Sequence, residues 1–96
     1  MLKEILDIEI KIKTMKADPA YLFIKRNLNH LETIRFGSSV VSIPSPDDPG
    51  LILNFKYNSP EFRKTISRYR ERRAEFELQM DTLFVLKAEL QKRLFR

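Results

Sequence analysis

Residues 59–95 read SPEFRKTISRYRERRAEFELQMDTLFVLKAELQKRLF, and this stretch decides the architecture. Within it Phe62, Ile66, Tyr69, Arg73, Phe76, Met80, Leu83, Lys87, Leu90 and Leu94 recur at alternating steps of four and three. In heptad terms Phe62, Tyr69, Phe76, Leu83 and Leu90 are d positions, and Ile66, Arg73, Met80, Lys87 and Leu94 are a positions. A series this long specifies one long helix with a single adhesive stripe. Ser59 suits the N-cap, and Pro60 suits the first helical position, where its missing N–H costs nothing. No Gly or Pro follows Pro60, so the helix is expected over 60–95, about 50 Å of rod.

The stripe changes character along its length. Its first half is apolar only at a and d. Its second half contains Leu83, Phe84, Val85 and Leu86, which point in every direction, and a helix apolar all round is covered on more than one side. The seam expected to carry packing and oligomerisation is therefore Phe62, Ile66, Tyr69, Phe76, Met80, Leu83, Leu86, Leu90 and Leu94. Arg73 and Lys87 interrupt it. Either their stems lie along the interface while the charged heads reach water, or they set register against a buried acid, with Glu9 and Glu32 as candidates for Arg73.

Upstream, Ser38–Ile43 and Leu51–Tyr57 are rich in β-branched and aromatic residues. Between them Pro44-Ser-Pro-Asp-Asp-Pro-Gly50 is turn chemistry, so 38–57 is expected to be a β-hairpin. Leu51, Leu53, Phe55 and Tyr57 alternate with Ile52, Asn54 and Lys56, giving one apolar face to lie on helices. Gly37 is placed to end the preceding helix. That helix is expected from Asp18-Pro19 to Arg35, with Tyr21, Ile24, Leu28 and Leu31 as its stripe.

The first segment fits two patterns. Ile5, Ile8, Ile12 and Met15 make a helical seam, supported by the Asp7–Lys11 and Glu9–Lys13 pairs. Leu6, Ile8, Ile10 and Ile12 also alternate as in a strand. Helix is favoured, because strands of some sixteen residues are uncommon. The expected fold is then α+β and mostly α: an antiparallel helical hairpin, broken near Pro19, with a small β-hairpin, as a single domain over 1–96. The alternative is β-α-β-β-α with a three-stranded sheet. In outline the favoured plan resembles that of prefoldin subunits.

At 96 residues, 43% hydrophobic and 32% charged, the chain has ordinary globular composition at a size with little core to spare, so self-association is a reasonable expectation. It has no cysteine, which removes disulfides and thiol chemistry. The start MLKEILDIEIKIK alternates charge too closely for a signal peptide or a membrane span, and the protein is expected to be soluble and cytoplasmic. No phosphate loop, dinucleotide fingerprint, nucleophile elbow or HExxH occurs. His30 is the only histidine and has no evident orienting partner or co-ligands. Asp47-Asp48 reads as turn chemistry. Neither catalytic residues nor a metal, cofactor or small-molecule substrate is expected.

The net charge of +5 has a local origin. Arg63, Lys64, Arg68, Arg70, Arg72 and Arg73 face only Glu71 in the same window. Arg68–Arg72 is a repulsive i,i+4 pair, so helix stability does not explain the pattern. The preference for arginine suits bidentate contacts with carboxylate or phosphate. The expected function is a small, non-enzymatic interaction or assembly protein, such as an accessory subunit, adaptor or phage-type inhibitor. It would act through its long helix on a protein partner, a second copy, or both. The alternative is a nucleic-acid module using Arg63–Arg73 on phosphates.

Overall fold

The computed structural model describes residues 2–34 and 40–95. In order they form α1 (Leu2–Lys16), α2 (Pro19–Thr33), β1 (Val40–Pro44), β2 (Ile52–Lys56) and α3 (Pro60–Leu94). Helix accounts for 73% of them. Residues 5–13 lie within α1, so the three-stranded alternative falls. The physical reason is burial: Ile5, Ile8 and Ile12 share one helical face and all three are buried, whereas alternation would have sent Leu6 and Ile10 inward, and these are exposed. Expectations for Gly37, Ser38, Ser39 and Arg35 fall outside the described residues.

The helix starts follow their capping chemistry. Asp18 Oδ1 accepts from the Ala20 N–H at 2.8 Å, with Pro19 opening α2. Ser59 Oγ accepts from the Phe62 N–H at 3.2 Å, with Pro60 opening α3. Asn58, just before, has φ 59°, a left-handed conformation that asparagine tolerates better than most residues.

The chain divides into two compact units, Met1–Leu22 with Ala74–Arg96 (unit 1) and Phe23–Arg73 (unit 2). The helix α3 is continuous through the division, contributing 60–73 to unit 2 and 74–94 to unit 1.

In unit 1, Ile5, Ile8 and Ile12 of α1 cluster with Leu90 of α3, and Leu83 packs against them. Lys87 Nζ meets Glu9 Oε1 at 3.0 Å, and Lys16 Nζ stands 5.5 Å from the centre of the Phe84 ring. As α1 advances from Glu9 to Lys16, its partners on α3 retreat from Lys87 to Phe84, so the two helices run antiparallel here. At the far end Tyr21 packs on Phe76 with ring centres 5.3 Å apart.

In unit 2 the two strands pair antiparallel, from Val40 with Lys56 to Pro44 with Ile52. The turn closes on itself: the Ser45 N–H donates to Leu51 O at 2.7 Å, and the Gly50 N–H to Asp48 Oδ1 at 3.1 Å. Val41 and Ile43 are buried. Leu53, Phe55 and Tyr57 are half-buried as the alternation required, and Phe55 and Tyr57 both pack on Phe62 of α3. Leu51 is exposed instead: it lies in the turn before β2, with its N–H and C=O bonded to Asp48 and Ser45. A two-stranded hairpin is marginal by itself. Here it is held by α3, whose fully buried Tyr69 donates its hydroxyl to Pro44 O at 2.5 Å. The Tyr69 ring also lies 6.3 Å from that of Phe23 on α2. Ile24, Leu28 and Leu31 complete the core at 1–2% exposure.

Candidate functional site

The sequence singles out two regions, a basic window and an apolar seam, and the fold treats them differently. The basic window lies on the first part of α3, in unit 2. Arg68 is turned onto the hairpin. Its Nε donates to Asp47 Oδ2 at 2.9 Å and its Nη2 to Asp47 Oδ1 at 2.6 Å, a bidentate grip on the turn. Its Nη1 donates to Glu71 Oε2 at 3.0 Å. These hydrogen bonds, with the positive charges of Arg68 and Arg72 nearby, hold the Asp47 carboxyl below the usual carboxylate range. The same contacts raise the Arg68 guanidinium above its ordinary value. Asp47 therefore resolves the Arg68–Arg72 repulsion: the pattern that works against the helix serves a contact between helix and turn.

Arg70 reaches Glu32 at the end of α2, with 3.5 Å between Nε and Oε1. Arg72 and Arg73 are half-buried and engaged. Arg63 and Lys64 remain exposed on the first turn of the helix. Of the six bases expected to contact a partner or phosphate, Arg68 and Arg70 thus bridge elements within the unit. The two carboxylates considered for Arg73 are bound by other residues, Glu32 by Arg70 and Glu9 by Lys87.

Beside the turn, Ser45, Pro46, Asp47, Leu53, Lys64 and Arg68 line an open depression of about 460 Å³. Its charged walls largely neutralise each other through Arg68. Among the described residues, no three His, Asp or Glu side chains gather as metal ligands. His30 lies exposed on α2.

The seam is mostly occupied within the chain. Phe62, Tyr69, Met80 and Leu90 are buried, and Ile66, Phe76 and Leu83 are half-buried. Leu86 and Leu94 are 45% and 39% exposed. Lys87 keeps its seam position with its side chain 24% exposed and its ammonium on Glu9 across the helix pair.

What periodicity underweighted is the rest of unit 1. The exposed large hydrophobic residues include Leu2, Leu6, Ile10, Leu78, Phe84, Val85, Leu86, Leu94 and Phe95 there, against Val40, Leu51 and Ile52 in unit 2. Reading past a and d to the other heptad positions of Leu78–Phe95, and to the second apolar line Leu2–Leu6–Ile10, would have found them. Unit 1 also carries eight acids and eight bases, whereas unit 2 carries five acids and ten bases. The whole excess charge belongs to unit 2, and most of the uncovered apolar surface belongs to unit 1. No described helix is long and apolar enough to cross a membrane. Compared with known proteins, the chain matches no family model, no curated protein and no solved structure.

Proposed function

We propose that this chain is a non-enzymatic interaction or assembly subunit whose working surface is unit 1. One observation carries the reading: around Leu83–Leu86 the long helix satisfies its own seam and still leaves Phe84, Val85 and Leu86 43–60% exposed. A small protein gains nothing in solubility from such a helix, and large exposed apolar patches mark contact sites. Unit 2 has a closed core and a cross-linked turn and, among its described residues, offers no comparable apolar surface.

Phosphate binding by Arg63–Arg73 is the weaker alternative. Two of its six cations already hold Asp47 and Glu32, so a polyanion would compete with contacts inside the fold.

Incorporation of a photo-crosslinking side chain at Val85 tests the proposal in the native host. The expected result is a covalent product with a protein, lost when Leu86→Asp is added and kept when Arg63 and Lys64 are both changed to Ala. The proposal is overturned if Val85 yields no protein product, or if the Arg63/Lys64 change alone abolishes it.

A further inference from the structure

We propose that one flank of unit 1 docks on the same flank of a second copy of this chain, about a two-fold axis parallel to its helices. This rests on the assembly reading above and names its partner. The flank is defined by two contacts that share it, Lys16 with Phe84 and Glu9 with Lys87.

Stepping along each helix by three and four residues from these points gives the rest of that side. On α1 the line is Leu2, Leu6, Glu9, Lys13 and Lys16, with Leu2 61% and Leu6 49% exposed. On α3 it runs from Asp81 through Phe84, Ala88 and Gln91 to Phe95 just past the helix end, with Phe84 43% and Phe95 80% exposed. The antiparallel stagger set by Glu9–Lys87 and Lys16–Phe84 puts Phe95 level with Leu2, and Asp81 level with Lys16. One end of the flank therefore presents Leu2 and Leu6 on α1 and Phe95 beside Gln91 at the end of α3. The other end is basic on α1 and acidic on α3.

A flank of this kind is complementary to itself. A two-fold axis along the helices lays α1 of one copy on α3 of the other at the same level. Leu2 then meets Phe95 of the second copy, and Lys13 and Lys16 meet its Asp81. Each contact occurs twice, as an isologous interface requires. The perpendicular two-fold would set Lys13 and Lys16 on Leu2 and Leu6, exchanging ion pairs for buried unpaired charge. The favoured arrangement makes an all-antiparallel four-helix bundle, the common way to cover helices that are apolar on several sides. The balance of eight acids and eight bases in unit 1 removes net repulsion between copies.

Sedimentation equilibrium on the full chain tests it, with circular dichroism as the check on folding. The expected species is a dimer. Leu6→Asp, at an exposed position, should weaken it more than about 100-fold, since the axis removes two leucines at once. Lys13→Glu and Asp81→Lys should each weaken it about 10-fold, through two repeated ion pairs turned repulsive. Combined, they should restore affinity to within about twofold of wild type, the coupling expected of neighbours. A monomer at every concentration, or a dimer indifferent to the charge reversals and their combination, overturns the inference. In either case a retained Val85 cross-link to a different protein leaves the assembly reading standing, whereas loss of all cross-links removes both.

Discussion

Unit 2 and unit 1 draw on the same long helix and use it in opposite ways. In unit 2, Tyr69, Ile24, Leu28, Leu31 and Ile43 are all at most 2% exposed, and Arg68 and Arg70 of α3 pair with an acid on the turn and an acid on α2. In unit 1 the best-buried core residues retain 5–6% exposure, and a second apolar surface remains outside them. The same heptad series thus closes a core at one end and leaves surface uncovered at the other. Charge separates the two as well: the arginine-rich end binds itself, while the neutral end is free to approach another neutral surface.

Substitutions at matched positions break or confirm the contrast. The largest effect is expected at Tyr69, which is fully buried and donates to Pro44 O. Tyr69→Ala should cost about 3–5 kcal/mol in chemical denaturation, from the cavity and lost packing. Tyr69→Phe should cost about 1 kcal/mol, leaving the Pro44 carbonyl without its donor. Val85→Asp, 60% exposed on the same helix, should change stability by less than about 0.5 kcal/mol while abolishing capture of a protein partner at that face. Equal destabilisation by Tyr69→Ala and Val85→Asp would end the distinction between a closed unit and an open one.

Alkaline titration sharpens the same point. Burial pushes the Tyr69 hydroxyl up to about 12. Unfolded tyrosine ionises near 10, so the folded state holds its proton more tightly. The stability this represents is complete below about pH 10 and is lost as pH rises towards 12, a fall of roughly 2 kcal/mol. In Tyr69→Phe that part of the alkaline decline should disappear, as read from urea midpoints at stepped pH. A decline unchanged by the substitution would place the titrating group elsewhere.

The long helix, both helix caps, the α2 stripe and the hairpin were legible because each rests on local chemistry. Ser59-Pro60, Asp18-Pro19 and the Pro/Asp/Gly turn are read over a few residues, and the seam repeats for more than four heptads. Leu2–Lys16 was ambiguous because leucine and isoleucine at 5, 6, 8, 10 and 12 satisfy both periods; length favoured the helix, and burial of Ile5, Ile8 and Ile12 with Leu83 and Leu90 bears it out. The basic window was visible, but its use was not. Arg68 and Asp47 are 21 positions apart, and no local pattern joins a turn acid to a helix arginine. The apolar flank of unit 1 was half-legible. Leu83–Leu86 announced it, while its complement on α1 was hidden among residues read as a single seam.

Lys87 offers a smaller test. Its ammonium sits at a seam position against Glu9, and both side chains keep contact with water. Replacing an ion pair by packing is often neutral or favourable. Lys87→Leu should therefore stabilise unit 1 by about 1 kcal/mol at most, with Glu9 turning to solvent. If Lys87 sets register, the variant should also lose uniqueness of association, seen as a spread of species in sedimentation. A sharp single species would reduce Lys87 to a packing residue.

The smallest effect is expected at the contact that looks strongest on paper. The Arg68–Asp47 pair is bidentate and short, yet both side chains are well exposed, at 39% and 51%. Water screens such a pair, so Asp47→Asn should lower the thermal midpoint less than Tyr69→Phe does. The sign with pH is fixed. A carboxyl held below its unfolded value contributes stability above that unfolded value, and loses it as pH falls through the folded one. Wild type should therefore lose an increment below about pH 4 that Asp47→Asn lacks, and the difference should shrink in high salt. A salt-insensitive difference would mean that Asp47 acts through the turn's backbone geometry rather than through Arg68. The arginine window would then need a partner outside unit 2 to explain it.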